Sequence, residues 1–258
     1  MTERATLSTD AVLLGEQLRR GAPIEDDDFD ALLSVRPQVF SRSFWTPVHV
    51  ARVAARLFRE AGASSVLDVG SGAGKFCSIV SLVLDQRVWG VEHRPSLAHE
   101  SRSLARRLGA DVEILEGRFV DLDARRFDAF YFFNPFAEHL VPKTHRYDQS
   151  VECSLESYVR DARCVEGWLT AAPIGTALVT YNGLGGRIPT SYVVEREGQL
   201  HGNAMRLWVK RTDVAADAFI ELEDMLLAAS YLRRCEKEMG DDFPFARDLL
   251  VRELMNER

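Results

Sequence analysis

Three glycines at alternate positions follow a short apolar segment in Val66-Leu67-Asp68-Val69-Gly70-Ser71-Gly72-Ala73-Gly74. The apolar run predicts a buried parallel strand, and the return of apolar residues at Phe76, Ile79 and Val83 predicts a helix. Glycine permits positive φ values and lets a ligand approach without a Cβ in the way. The first turn of a helix adds unpaired N–H groups and a partial positive charge. This stretch therefore predicts a nucleotide-like ligand at the carboxyl end of the strand.

The glycine spacing distinguishes between nucleotide ligands. The dinucleotide pattern G-x-G-x-x-G fails, because its third glycine would fall on Lys75 or on Cys77. The spacing that is present, D-V-G-S-G-A-G, resembles motif I of the class I S-adenosylmethionine-dependent methyltransferases. The resemblance implies that S-adenosylmethionine is the cofactor and that five residues of this stretch contact it: Asp68, Gly70, Ser71, Gly72 and Gly74. A glycine-rich turn without a ligand is the alternative.

An acidic residue ends the next predicted strand, Arg87-Val88-Trp89-Gly90-Val91-Glu92, eighteen residues after Gly74. A carboxylate offers two oxygens to two adjacent hydroxyl donors, so Glu92 can bind a ribose. In the methyltransferases that the glycine turn resembles, this acid binds the ribose of the cofactor. A surface glutamate at a strand end is the alternative.

The segment Ser43-Phe44-Trp45-Thr46-Pro47 precedes the glycine turn. Thr46 as N-cap and Pro47 at the first helical position predict a helix that ends at Gly62. The segment also resembles one that lines the methionine end of the cofactor in many amino-methyltransferases. That resemblance implies cofactor contacts from Phe44, Trp45 and Thr46, whereas a purely structural helix start accounts for the same residues.

The third strand is predicted over Val112-Glu113-Ile114-Leu115. Many relatives place an Asp that contacts the adenine amino group shortly after it, and this chain has Arg118 there. Phe119 is a candidate to stack on the adenine ring, or it is a core residue. Asp121 and Asp123 are candidates for the missing acid.

The fourth predicted strand, residues 127–133, ends in Asn134-Pro135-Phe136. The sequence N-P-F resembles the N-P-P-Y/F signature of amino-methyltransferases, with Phe136 in place of the second proline. The resemblance implies catalytic roles for Asn134, Pro135 and Phe136, and contact of Asn134 with the cofactor. The Asn134 carbonyl can accept a hydrogen bond from an amino group and orient its lone pair, and Phe136 can stack on a planar substrate. A structural Asn-Pro turn is the alternative.

The amino-acid composition limits the kinds of partner and environment that we expect for this chain. The net charge of −7 favours a protein or small-molecule acceptor over duplex nucleic acid, although a local basic groove stays compatible with it. No apolar stretch is long enough to span a bilayer, and the N-terminal residues do not resemble a secretory signal. The chain has four scattered cysteines, which argue against a zinc site and against a disulfide scaffold: Cys77, Cys153, Cys164 and Cys235. We therefore expect a cytoplasmic protein without a metal and without membrane contact.

Together these patterns predict an α/β fold, a seven-stranded, mostly parallel, doubly wound sheet of the class I methyltransferase type. Helices are predicted at both ends, over residues 5–21 and 214–256, and the acidic run at residues 26–28 is interpreted as stabilising a helix start. The predicted divisions are a helical cap (1–43), the methyltransferase domain (44–212) and a helical extension (213–258).

The predicted activity is methyl transfer from S-adenosylmethionine, with a nitrogen of a protein side chain or nucleobase as acceptor. Glu138 and His139 are candidates to take a proton from a protonated amine. The alternatives are a small-molecule O- or N-methyltransferase and a module that binds the cofactor or its product without turnover. The sequence does not assign the acceptor or the oligomeric state.

Overall fold

The computed structural model describes residues 2–140, 143–213 and 219–220. Within them the chain forms seven α-helices: α1 (Thr2–Arg19), α2 (Asp26–Asp30), α3 (Val35–Phe44), α4 (Val48–Ala61), α5 (Lys75–Leu84), α6 (Pro95–Leu108) and α7 (Leu155–Ala171). It also forms nine strands: β1 (Val66–Val69), β2 (Val88–Glu92), β3 (Val112–Glu116), β4 (Ala129–Phe132), β5 (Ala177–Tyr181), β6 (Ile188–Pro189), β7 (Tyr192–Leu200), β8 (Asn203–Lys210) and β9 (Phe219–Ile220).

Seven of the strands form one sheet in the order β3-β2-β1-β4-β5-β8-β7. β1 pairs in parallel with β2 and with β4, and β2 pairs in parallel with β3. β7 and β8 form an antiparallel hairpin at one edge. The predicted α/β class with a seven-stranded, mostly parallel sheet is therefore confirmed.

The chain divides into two compact units. The first unit runs to Tyr131 and includes Thr176–Val179; the second comprises Phe132–Gly175 and the chain from Thr180 onward. In the first unit all four residues of β1 are buried. There α1 packs on α5 and α6, and α4 packs on α5, so the N-terminal helices belong to the same compact unit as the glycine turn. The boundaries at residues 43 and 212 stay predictions.

The start of α4 differs from the sequence prediction. Pro47, not Thr46, is the N-cap residue, and no side chain of the cap residue itself accepts a hydrogen bond. The carboxylate of Asp26 accepts a hydrogen bond from the Val48 N–H at 2.9 Å. A distant acidic side chain thus satisfies the first free N–H of the helix, which leaves the Thr46 hydroxyl for another partner.

The helix that we predict over residues 214–256 falls almost entirely outside the described residues. Where the prediction can be compared, it is wrong: Phe219 and Ile220 form β9, which pairs antiparallel with Ile188 and Pro189. The apolar residues of this segment are also compatible with a short strand. The strand forms because its backbone groups pair with those of β6. No α-helix within the described residues has both the length and the apolar character that a membrane span requires.

Candidate functional site

The glycine turn is held against the end of β2. Gly70, Gly72 and Gly74 have φ values of +77°, +54° and +80°, in the left-handed region where glycine is favoured. The N–H groups of Gly70 and Ser71 both donate to the Val91 carbonyl at 3.0 Å. α5 begins directly after Gly74, so the predicted succession of strand, glycine turn and helix is present.

Trp45 lies on the glycine turn. A Cβ added at Gly72 would stand 2.2 Å from the indole Nε1 and 2.8 Å from Cδ1 of Trp45. Glycine is therefore required at position 72 for two reasons: it adopts the positive φ, and it leaves room for the indole ring of Trp45. The aromatic residue that the sequence places near the cofactor does contact the turn.

Glu92 joins the end of β2 to the same turn. Its side chain is only 5% exposed, and its two oxygens accept hydrogen bonds from two backbone N–H groups. Oε2 accepts from Gly72 at 2.9 Å, and Oε1 accepts from Arg94 at 2.8 Å. A carboxylate has about four acceptor positions, so these two N–H groups alone do not exhaust them. The acid and the turn thus form one hydrogen-bonded unit, and the ribose contact stays a prediction.

Asp68 lies behind the turn. Its carboxylate is 5% exposed and Oδ2 accepts a hydrogen bond from the Cys77 thiol at 3.4 Å. Burial raises the pKa of Asp68 to about 7; the Cys77 hydrogen bond opposes the shift, and the charge of Glu92 adds to it. The added Cβ of Gly90 would meet Ser71 and Cys77 within 3 Å, so these side chains share one tight space with Asp68.

Thr46 is tied to the centre of the sheet rather than to its own helix. Its hydroxyl lies 2.9 Å from the hydroxyl of Tyr131 in β4. The Tyr131 ring stacks on Phe76 with the ring centroids 3.6 Å apart and the planes 11° apart. This contact fixes the chain immediately after Trp45.

Lys75 is the first residue of α5 and is only 2% exposed. Its Nζ donates to Asp26 Oδ1 at 2.6 Å, to Asp30 Oδ1 at 2.7 Å and to Ser41 Oγ at 3.4 Å. The acidic run that we interpret as a helix-start feature thus also neutralises a buried ammonium. A lysine in an otherwise apolar helix could have indicated such a partner, because lysine is almost never fully buried unless paired.

A cavity of about 420 Å³ adjoins this ion pair. It is bounded by four acidic residues, Lys75, Trp45 and two others: Glu25, Asp26, Asp27, Asp30, Lys75, Trp45, Ser41 and Pro47. Trp45, which lies on the glycine turn, therefore also borders an acidic cavity.

The segment after β3 reaches the end of β2 through its backbone, because the Gly117 N–H donates to the Glu92 carbonyl at 2.9 Å. Phe119 is partly buried and starts a short 3-10 turn that ends at Asp121. Asp123 is exposed and forms two hydrogen bonds with the Arg125 guanidinium. Among the two acids that could replace Arg118, Asp123 is thus already paired, and the adenine contacts stay predictions.

The N-P-F segment lies in the second unit. Asn134 has φ +42°, its N–H donates to the Gly183 carbonyl at 3.1 Å, and its carbonyl accepts from Ala137 at 3.2 Å. Phe136 is 3% exposed and meets Tyr158 edge-on, with ring centroids 6.3 Å apart. The Phe136 side chain is therefore buried, and its stacking on a substrate stays a prediction.

Gly185 lies beside both Tyr158 and the Asn134 side chain. The Tyr158 hydroxyl donates to the Gly185 carbonyl at 2.7 Å. A Cβ at Gly185 would stand 2.8 Å from that hydroxyl and 3.4 Å from Asn134 Oδ1. The glycine-rich segment 183–186, to which the sequence assigns no role, therefore forms the surroundings of the Asn134 side chain.

The two candidate proton acceptors, Glu138 and His139, have different hydrogen-bond partners. Glu138 Oε1 accepts a hydrogen bond from the Tyr147 N–H at 2.7 Å. His139 Nε2 lies 3.1 Å from Asp161 Oδ2. Burial alone would lower the pKa of His139, but hydrogen bonding to Asp161 and the neighbouring Cys153 outweigh it and raise the pKa to about 8.

We expect the melting temperature to fall between pH 6.5 and pH 8.5. The raised pKa of His139 stabilises the folded chain below about pH 6.5, and this contribution is lost as the pH rises through 8. The raised pKa of Asp68 means that the folded state binds more protons between about pH 4 and 7, so its contribution also decreases with rising pH. The His139 part alone is on the order of 2 kcal/mol.

The measurement is thermal unfolding at several pH values for the wild type, Asp68→Asn and His139→Gln. Each variant removes one titrating group and should flatten the profile. A wild-type melting temperature that stays constant or rises over this interval would contradict the raised pKa of His139.

The structure thus groups the candidate residues by unit. The first unit brings together the glycine turn, Glu92 and the Trp45-Thr46 segment, with the chain around Phe119 attached to Glu92 through Gly117. The second unit holds the segment Asn134-Pro135-Phe136 with Tyr158 and Gly185.

Comparison with known proteins assigns the class. Residues 30–125 match the family model of protein-L-isoaspartate (D-aspartate) O-methyltransferase. The match contains the glycine turn and Glu92, covers less than half of the chain and ends before β4. A search of the curated proteins finds no match to the sequence.

Solved structures share the fold. The O-methyltransferase from Bacillus cereus, determined in complex with SAH, is 15% identical with a TM-score of 0.50; the alignment covers 73% of this chain and 92% of that one. The RNA methyltransferase from Salinibacter ruber, in complex with S-adenosyl-L-homocysteine, is 16% identical with a TM-score of 0.44, covering 64% and 94%. Together with the family match, this fold supports a class I S-adenosylmethionine-dependent methyltransferase.

Proposed function

We propose that the glycine turn and Glu92 hold S-adenosylmethionine and that the chain transfers its methyl group to a nitrogen acceptor. The observation that supports the cofactor position is the hydrogen bond between the Gly72 N–H and Glu92 Oε2. It makes the ribose-binding acid and the glycine turn parts of one rigid arrangement. The bound cofactor supplies an activated methyl group on a sulfonium, so the chain's own residues mainly have to align the acceptor.

The cofactor contacts proposed for single residues follow from their places in the first unit. Gly70, Gly72 and Gly74 present backbone without side chains, and Ser71 and Asp68 support the turn from behind. Trp45 and Thr46 are proposed at the methionine end, since Trp45 lies on Gly72. Phe119 is proposed at the adenine.

Asn134 is proposed to orient the acceptor nitrogen. It lies two residues after the end of β4. Its left-handed backbone and its bond to Gly183 hold the amide in place, and Pro135 restricts the chain that follows. A held amide carbonyl can accept a hydrogen bond from an amino group and direct its lone pair. Phe136 supports this arrangement by packing on Tyr158.

An oxygen acceptor is the second candidate, favoured by the matched family model, which is that of an O-methyltransferase. A small-molecule N-methyltransferase and a module that binds the cofactor without turnover are the remaining alternatives. The net charge of −7 and the acidic cavity at Trp45 favour a protein or small-molecule partner over duplex nucleic acid. We further propose a cytoplasmic location, consistent with the absence of disulfides among Cys77, Cys153 and Cys164.

The test combines binding with label transfer. Calorimetric titration should show binding of S-adenosylmethionine or its demethylated product and none of NAD. Radiolabelled cofactor and purified protein, added to a lysate of cells that lack this protein, should then label one fraction. Label on nitrogen of proteins or small molecules supports the proposal, label on oxygen supports the second candidate, and saturable binding without any label identifies a binding module. Tight NAD binding would overturn the cofactor assignment.

Replacing Asn134 by glycine should lower the single-turnover rate of methyl transfer on the order of 10²-fold, because an aligning hydrogen bond is lost. Glycine is preferred to alanine for this test because Asn134 has φ +42°, a left-handed conformation that asparagine and glycine tolerate and that is less favourable for alanine. Cofactor affinity should stay close to that of the wild type. Single-turnover rate, calorimetric affinity and melting temperature are measured on the same variant.

A matched control is Asn182→Gly, which also removes an asparagine with positive φ, here +56°, from the second unit. It should change stability by a similar amount and leave the rate unaltered. Unchanged single-turnover transfer in Asn134→Gly would remove Asn134 from the active site, and the N-P-F resemblance would then be accidental.

A further inference from the structure

The segment 183–187, which lies beside Asn134, contacts one face of α7. Three of its first four residues are glycines, whose backbone loses more conformational freedom on folding than that of any other residue. Tyr158, Ala162 and Glu166 follow one another at intervals of four residues along α7, so they share one face of this helix. A segment of this composition keeps a single conformation only where its surroundings fix it, and this face of α7 supplies the contacts.

Glu166 fixes the end of the segment at Arg187. Its side chain is buried, and Oε1 accepts hydrogen bonds from the Arg187 backbone N–H and from Nε, each at 3.0 Å. Oε2 accepts a third hydrogen bond, from the guanidinium Nη2 at 2.8 Å. Because an ion pair with two contact points fixes geometry as well as contributing energy, this end of the segment is held in place. Ala162 lies against the preceding residue, since a Cβ added at Gly186 would stand 3.4 Å from the Ala162 Cβ.

Tyr158 fixes the segment at Gly185. Its side chain is fully buried, and its hydroxyl donates to the Gly185 carbonyl at 2.7 Å. Burial raises the pKa of Tyr158, so the hydroxyl keeps its proton and stays a hydrogen-bond donor. A Cβ added at Gly185 would stand 3.4 Å from Asn134 Oδ1. The hydroxyl therefore holds the part of the segment that lies beside the Asn134 side chain.

Asn134 contacts the segment a second time, through its backbone. Its N–H donates to the Gly183 carbonyl at 3.1 Å, so the segment adjoins both the backbone and the carboxamide of Asn134. Asn134 is half-buried whereas Tyr158 is fully buried, so of these two residues only Asn134 can meet an acceptor. An effect of Tyr158 on methyl transfer is then expected to pass through the segment to Asn134.

We propose that Tyr158 is a positioning residue for the methyl transfer: its hydroxyl holds the segment 183–187 against Asn134 and thereby sets the orientation of the Asn134 carboxamide. Glu166 holds the other end of the segment. The inference rests on the role proposed above for Asn134. Loss of a hydrogen bond that supports an aligning group disturbs the geometry of reaction rather than the binding of the cofactor, so it lowers the rate at unchanged cofactor affinity.

Tyr158→Phe tests the hydroxyl alone, because phenylalanine keeps the ring that packs on Phe136. Tyr192→Phe is the matched control: Tyr192 is also buried in the second unit, and its hydroxyl donates to the Leu169 carbonyl at 3.2 Å. The rate is that at which excess protein moves label from radiolabelled S-adenosylmethionine into a lysate of cells that lack this protein. Tyr158→Phe should lower it about 10-fold or more, with unchanged calorimetric affinity for the cofactor. Tyr192→Phe should keep the wild-type rate.

The double variant Asn134→Gly, Tyr158→Phe distinguishes positioning from a general loss of stability. If Tyr158 acts through the Asn134 carboxamide, its hydroxyl should have no further effect on the rate once that carboxamide is absent. A merely structural tyrosine would lower the rate by the same factor in both backgrounds. The positioning role is overturned if the two reductions multiply, or if Tyr158→Phe is no slower than Tyr192→Phe while Asn134→Gly is slow.

A measurement that needs no acceptor follows the Asn134 side chain directly. Its amide signal in ¹⁵N NMR spectra of the full chain is assigned by its absence from Asn134→Gly. The signal should shift in Tyr158→Phe and stay in place in Tyr192→Phe, and an unshifted signal in Tyr158→Phe overturns the positioning contact. If the wild type transfers no label, or if Asn134→Gly keeps the wild-type rate, the role proposed for Asn134 fails and this inference fails with it.

Discussion

Replacing Glu92 by alanine should weaken cofactor binding by roughly 10²- to 10⁴-fold. Each charge-assisted hydrogen bond to a ribose hydroxyl contributes about 1.5–3 kcal/mol, and the carboxylate can make two. The effect extends to the protein itself, because the same carboxylate accepts hydrogen bonds from the Gly72 and Arg94 N–H groups. The melting temperature should therefore fall as well. Calorimetry and thermal unfolding measure the two effects.

Glu92→Gln separates them. The glutamine carbonyl can keep one of the two backbone N–H partners, but its amide nitrogen cannot accept a hydrogen bond. Its stability should lie between those of the wild type and Glu92→Ala, with the affinity still strongly reduced. Glu113 offers a matched control, since it lies on the neighbouring strand β3 in contact with solvent, and Glu113→Ala should leave the affinity unchanged. Wild-type affinity in a folded Glu92→Gln variant would show that the ribose binds elsewhere.

Replacing Lys75 by methionine should reduce the free energy of unfolding by about 3–5 kcal/mol. The substitution keeps the length of the chain and removes the ammonium, which leaves Asp30 buried without its charge partner. A loss of this size lowers the melting temperature of a chain of this length by about 2–4 °C per kcal/mol. Chemical denaturation of the protein without cofactor gives the value directly.

Two further variants test the cause. Lys143 is exposed, and Lys143→Met should change the free energy of unfolding by less than about 0.5 kcal/mol. Adding Asp30→Asn to Lys75→Met removes the unpaired buried charge and should restore part of the lost stability. A double variant that is less stable than Lys75→Met would contradict the ion-pair explanation.

Sequence reasoning succeeds here where the determinants are local. The succession from β1 through the glycine turn to α5 is encoded within residues 66–83, in the apolar run, the alternating glycines and the return of helical spacing. The position of Glu92 is predicted by the combined length of the one helix and one strand that follow the glycine turn. Such signals do not depend on which distant segment packs nearby, so they can be found in the sequence alone.

The determinants that sequence reasoning missed are distant in the chain. Asp26 and Lys75 are 49 residues apart, and their pairing changes the interpretation of the acidic run. Asp26 also takes over the start of α4, and the Thr46 hydroxyl meets Tyr131, 85 residues away. Phe136, which is predicted at a substrate, is buried and meets Tyr158, 22 residues further on, edge-on. None of these partners has a periodicity or spacing that a sequence pattern can show.

The fastening of the N-terminal helices at Lys75 has a kinetic consequence. Three side chains from two helices, Asp26 and Asp30 of α2 and Ser41 of α3, converge on one ammonium at the start of the helix that follows the glycine turn. Separation of α2 or α3 from Lys75 would expose the ammonium and its partners together. The two helices therefore cannot open independently of each other. Amide hydrogen exchange in α2 and α3 should therefore occur by the same opening event as exchange in the first turn of α5. The N-terminal helices and the glycine turn would thus open as one cooperative unit.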